Sequence, residues 1–120
     1  MFSLHSARYF LYRKPTDMRK SFNGLSGLVM SKMKQNPMSG DVYIFINKKR
    51  NLIKLLRWEQ GGFVLFYKRL EKGTFELPEG KNQSSTIDIC YTQLTMLITG
   101  ISLKNTRKRP RFLQQNYVGK

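Results

Sequence analysis

The chain is poor in the residues that most enzymes use for chemistry. It has one histidine and one cysteine in 120 residues. A lone cysteine, Cys90, rules out an intrachain disulfide and fits a reducing compartment. Cys and His are too few for the usual clusters that hold zinc. No glycine-rich phosphate cradle is present. Acidic residues are scarce as well: Asp17, Asp41, Glu59, Glu71, Glu76, Glu79 and Asp88 are the seven in the chain. Strand-cutting chemistry with two metal ions needs several converging carboxylates. These are scattered, mostly in predicted turns beside basic residues, and read as surface charges. His5 lies in a loose N-terminal stretch and reads as a surface residue. Cys90 sits where a strand gives way to a helix. A helix start can activate a thiol, but a small buried filler is the better reading. No apolar run approaches the roughly 20 residues of a membrane span. The opening MFSLHSARYFLYRK lacks the parts of a signal peptide. These absences predict a non-enzymatic, cofactor-free, metal-free protein of the cytoplasm with no membrane partner.

Positive charge is abundant. Twenty-two Lys and Arg against seven Asp and Glu give a net charge of +15, with a sequence pI near 10.3. Such an excess repels itself on compaction and attracts polyanions, nucleic acid first among them. Hydrophobic residues make up 40% and aromatics 12%, enough for one packed domain of this length.

Periodicity divides the chain. YFLYR (9–13) reads as a short strand, broken by Pro15. Thr16 and Asp17 are good N-cap residues, and Met18, Phe22, Leu25, Val29 and Met33 form an apolar stripe at helical spacing. The stripe predicts a helix over 17–33, with Arg19 and Lys20 in its first turn. There, cations oppose the positive end of the helix dipole. Gly24 and Gly27 weaken this helix and admit a close neighbour. DVYIFIN (41–47) is apolar on both faces, as a central strand is. LIKLLRW (52–58) and FVLFYKRL (63–70) follow after the short turns KKRN and EQGG, which predicts an antiparallel meander. TFELP (74–78) is expected to add an edge strand, EGKNQSS (79–85) a loop and TIDIC (86–90) a strand. YTQLTMLITG (91–100) reads as a second helix with Gly100 as its stop. The fold class is therefore α+β: an antiparallel meander sheet with both helices packed on one face. Residues 1–103 form one domain, and 104–120 form a flexible basic tail.

The basic residues cluster. Arg19 and Lys20 form one group. Lys48, Lys49 and Arg50 occupy the first hairpin turn, with Lys54 and Arg57 on the strand after it. Lys68, Arg69 and Lys72 form another. The tail carries Lys104, Arg107, Lys108, Arg109 and Arg111. A charge run is usually only a solvated face, but so few acids leave these clusters uncompensated. Arg19, Lys20, Lys48, Lys49, Arg50, Lys54, Arg57, Lys68, Arg69, Lys108 and Arg109 are the expected DNA contacts, directed at phosphates. Trp58, Phe63, Phe66 and Tyr67 lie among them. Such rings stack on bases in single-strand binders, but most are expected to pack in the sheet core.

TDMRKSFNGLSGLV, then SGDVYIFINKKRNLIKLLRWEQGGFVLFYKRLEKGTFELP, then QLTMLITGI, taken together, resemble a known family. It comprises the TnpB-type accessory proteins, encoded by the second reading frame of bacterial insertion sequences of family 66. This family is distinct from the RNA-guided nucleases that share the TnpB name. The resemblance spans about residues 9–101, and Ile44–Leu77 is its most specific part. It implies a bacterial accessory protein of transposition, acting beside a separately encoded catalytic transposase. Two departures stand out. Relatives usually carry Thr or Ser and then Pro where this chain has Cys90 and Tyr91, which removes the usual cap of the second helix. The tail after Ile101 exceeds the matched region, so its role is read from charge alone. The expected partners are duplex DNA and, as an alternative in which DNA is not touched, the large transposase.

Overall fold

The computed structural model describes residues 7–78 and 84–99. The tail, with Lys108 and Arg109, most of the loop at 79–85, and Gly100 lie outside them. The elements run β1 (Tyr9–Tyr12), α1 (Phe22–Ser31), β2 (Val42–Ile46), β3 (Leu52–Glu59), β4 (Gly62–Arg69), β5 (Thr86–Ile89) and α2 (Tyr91–Thr99). The five strands form one sheet in the order β4-β3-β2-β1-β5. The class is α+β and the sheet is mostly antiparallel, as expected.

The meander β2-β3-β4 follows from its turns. Gln60 and Gly61, at φ 47° and 86°, form a two-residue link with both residues left-handed. Such turns match the twist of a hairpin, and glycine adopts that backbone at no steric cost. Pairing runs in register from Glu59↔Gly62 to Leu52↔Arg69. The β2–β3 turn is held by Asn47. Its side-chain carbonyl accepts from the backbone N–H of Asn51 (3.0 Å) and Leu52 (2.9 Å), and Arg50 turns the chain at φ 60°.

Three expectations about the architecture need correction. First, β1 pairs with β2 in parallel and with β5 antiparallel, so the sheet is mixed and β1 lies inside it. Second, the helices cover opposite faces. Leu25, Val29 and Met33 pack with Phe10, Tyr12, Tyr43, Phe45 and Leu56. Leu94 and Leu97 pack with Tyr9, Leu11, Val42, Ile44, Ile53 and Leu55. The alternation of side chains along β1 and β2 makes the split necessary: YFLY and VYIFI are buried at every position, so both faces need a cover. Third, TFELP forms no strand. The Phe75 N–H donates to the Arg50 carbonyl (2.7 Å), and the Phe75 side chain is fully buried on the α2 face. This segment crosses the sheet face and leaves β4 as the edge.

Helix α1 starts later than its apolar stripe suggests. The Asp17 carboxylate accepts from the Arg19 N–H (2.9 Å), and the Lys20 N–H donates to the Asp17 carbonyl. These bonds close a local turn. The Met18 and Lys20 carbonyls accept from the Lys54 ammonium instead of from helical N–H groups. The helix then begins after Ser21, whose side chain makes no cap bond. It ends before Lys34, which takes φ 58°. Helix α2 keeps part of a cap despite its sequence. The Gln93 side chain, three residues into the helix, accepts from the Cys90 N–H at 2.9 Å, one half of a capping box. Cys90 itself is exposed, contrary to the reading of a buried filler.

The two helical glycines differ. A Cβ on Gly24 would meet the Lys20 Cβ at 3.0 Å, whereas one on Gly27 would meet nothing within 4 Å. Gly27→Ala is therefore expected to stabilise the fold by about 0.5–1 kcal/mol through helix propensity. Thermal unfolding should show a midpoint a few degrees higher.

Candidate nucleic-acid interface

Parallel pairing of β1 and β2 brings their C-terminal ends to the same end of the sheet. Strands β3 and β5 begin there and β4 ends there. That end carries Arg13 and Lys14 after β1, Arg19 and Lys20 before α1, Lys48, Lys49 and Arg50 between β2 and β3, Arg69 as the last residue of β4 and Lys72 after it. Asp17, Glu71 and Glu76 lie among them; Asp17 pairs with Arg19 at 2.7 Å and Glu71 with Arg69 at 2.9 Å, and Glu76 follows Phe75, whose N–H donates to the Arg50 carbonyl. The opposite end holds Asp41, Glu59 and Asp88 beside Arg8 and Arg57, with Lys32 and Lys34 following α1 there. There Arg8 pairs with Asp88 at 3.0 Å, its N–H donates to Asp41, and Arg57 lies 3.5 Å from Glu59. The sheet thus has one strongly cationic end and one largely neutralised end.

The cationic end is well braced. The Thr16 N–H donates to the Ile46 carbonyl (2.9 Å), and the Leu70 N–H donates to the Asn51 carbonyl (2.8 Å). The Lys54 Nζ donates to the carbonyls of Met18 and Lys20, both at 2.8 Å, and sits 4.5 Å from the centre of the Tyr67 ring. Lys54 is only 5% exposed. Burying an ammonium is unfavourable unless polar groups replace its water; two carbonyl dipoles and the ring face do so here. Between the 16–19 loop and the β2–β3 turn lies an open groove of about 530 Å³. Arg19, Lys48 and Lys49 border it, with Met18, Leu52 and Tyr67 among its lining. Thr16 also lines it, and the buried Thr16 hydroxyl has no hydrogen-bond partner.

The expected contacts fall into distinct groups. Arg19, Lys20, Lys48, Lys49, Arg50 and Arg69 are exposed at the cationic end. Lys54 is committed to the fold. The Arg57 Nε donates to the Gly40 carbonyl at 2.8 Å, at the other end of the sheet. The Lys68 Nζ donates to the Ile98 carbonyl of α2 at 3.0 Å. Of the aromatics, Trp58 packs edge-on to Phe63 at 5.0 Å, Phe66 packs against the α2-side core, and Tyr67 is 53% exposed. Arg13 and Lys14 were not among the expected contacts. Their place follows from the parallel pairing, which no short-range pattern announces. Arg19 and Lys20 precede the first turn of α1, so the conflict with the helix dipole is removed. Among the described residues, no group of three or more His, Cys, Asp and Glu is placed to hold a metal ion. Among the same residues, no helix is long and apolar enough to cross a membrane.

Arg19 grips Asp17 through Nε and Nη2, at 2.7–3.1 Å. This hydrogen bonding holds the Asp17 carboxyl at about 2, below its ordinary 3.8. A lowered carboxyl pKa means the pair stabilises the fold above the ordinary value and loses its effect as pH falls through about 2. An NMR titration should place the Asp17 midpoint near that value, and Arg19→Gln should return it toward the ordinary one. Lys54→Met keeps most of the side-chain volume but removes both carbonyl bonds. The expected cost is about 1–3 kcal/mol, with faster amide exchange across residues 16–21.

A family model described as "IS66 Orf2 like protein" matches residues 7–108. The uncharacterized protein y4hO of Sinorhizobium fredii (strain NBRC 101917 / NGR234) is 32% identical over 104 residues, covering 86% of this chain and 88% of that protein. The uncharacterized protein y4jC of the same organism is 27% identical over 103 residues, covering 86% of each. No solved structure matches.

Proposed function

The chain belongs to the IS66 Orf2-like family, and on that footing we propose a non-catalytic accessory protein of DNA transposition. In this reading it acts in the bacterial cytoplasm and grips duplex DNA by its phosphates along the cationic end of the sheet. The observation that carries the reading is the segregation of charge between the two ends. On braced loops the backbone is already ordered, so lysines and arginines left free of carboxylates meet phosphate at the cost of side-chain freedom alone, and they release counterions from DNA as they do so. Lys20, Lys48, Lys49 and Arg50 are the principal contacts, with Arg13, Lys14, Arg19 and Arg69 beside them. Strands about 4.8 Å apart make this end roughly 20 Å wide, comparable to the axial rise of about six base pairs. The tail adds affinity by charge.

A second reading is favoured by a different observation. Phe22 and Met30 of α1 remain 43% and 56% exposed, which suits docking on the separately encoded transposase. The sheet faces offer less to such a partner: the helices pack on them, and Trp58 is half-buried edge-on to Phe63. Co-purification of the two proteins through nuclease treatment and high salt supports docking, and loss of the partner at that step counts against it.

Binding to duplex DNA should weaken steeply with salt. Lys48→Gln with Lys49→Gln should flatten the slope of log affinity against log salt by about 2. Asp17→Asn frees Arg19 and removes a negative charge, so it should tighten binding. A flat salt response, or no binding at low salt, overturns the phosphate-grip reading.

A further inference from the structure

Phosphate contact alone leaves the groove beside the β2–β3 turn unexplained. Its charged residues are Lys48, Lys49 and the Arg19–Asp17 pair, a net positive set, but its lining also includes Met18, Leu52 and the Tyr67 ring. Apolar lining and a ring contribute nothing to holding a phosphate. Stacked bases inside a duplex cannot reach a ring on a sheet, whereas an unpaired base can. Tyr67 is 53% exposed, yet it is oriented by the Lys54 ammonium 4.5 Å from its centre. A pre-set aromatic surface binds with little ordering cost. The volume, about 530 Å³, lies within the roughly 300–1,000 Å³ range of small-ligand sites.

We propose that this groove receives one unpaired nucleotide of DNA, its base stacked on Tyr67 and its phosphate held by Lys48 and Lys49, with the Asp17-paired Arg19 beside them. This rests on the DNA-binding reading above and adds to it a preference for frayed or single-stranded ends. The ring supplies the stacking surface and the rim the charge, so base and phosphate are recognised by separate groups.

The test uses the full chain and three fluorescent DNAs: a blunt duplex, the same duplex with a short single-stranded extension, and one with an abasic extension of equal length. The two extensions carry equal numbers of phosphates. The base-bearing extension should bind at least about fivefold tighter than the abasic one, the lower end of what one stacked base contributes. Tyr67→Leu should abolish that difference between the two extensions, and Tyr67→Phe, which keeps a ring beside Lys54, should retain it. If Tyr67→Leu unfolds, the wild-type comparison decides, together with quenching of a 2-aminopurine placed in the extension. Equal affinity for the two extensions, with blunt duplex still bound, overturns the groove proposal alone. Failure to bind any of the three overturns the DNA-binding reading and this proposal with it.

Discussion

Two adjacent strands that run the same way cannot be joined by a hairpin; the chain must leave one end of the sheet and return to the other. That constraint, imposed by β1 beside β2, organises this protein. The return journey is α1, which must cover one face. The loops at the departing ends of both strands then share one end of the sheet. Strands that are apolar on both sides require a second cover, which α2 supplies after the chain has crossed to the far edge at β5. The cationic end is thus a product of topology: residues distant in sequence meet because their strands end together.

Within that frame, positive charge takes two forms. Lys54, Arg57 and Lys68 are spent on backbone carbonyls, at separations of up to 36 residues. They fasten the pre-helix loop, the start of β2 and the end of α2. Lys20, Lys48, Lys49 and Arg50 stand on turns that those and other backbone bonds hold still. A chain at +15 resists its own collapse. Drawing some cations onto carbonyl dipoles lets them contribute to cohesion where carboxylates are scarce.

Much of this was legible in the sequence, for local reasons. The β2–β3 and β3–β4 hairpins were readable because Asn47 and Gly61 fix their turns within a few residues. The strands and both helices were readable from period. The parallel pair was not, since DVYIFIN beside YFLYR looks the same in either direction. The split of the helices had a usable signal: a strand apolar on both faces demands two covers. The start of α1 was misread because Met18 continues the apolar stripe. What ends the helical pattern there is an ammonium on a strand more than thirty residues away. At the candidate site, the free cations of the turns were found from charge alone. Lys54 was misjudged for the same distant contact, and Arg13 and Lys14 were missed with the pairing.

The contact between Gly24 and the stem of Lys20 joins two positions one helical turn apart. The glycine makes room for the lysine stem, and any side chain at 24 would press on it. The two positions are therefore coupled through the backbone between them. The nearest atom is the Lys20 Cβ, which every residue except glycine carries, so alanine at 24 requires the backbone in front of α1 to give way, whatever side chain stands at 20. Stiffness of the helix at 24 is thus set against the placement of the charge in front of it.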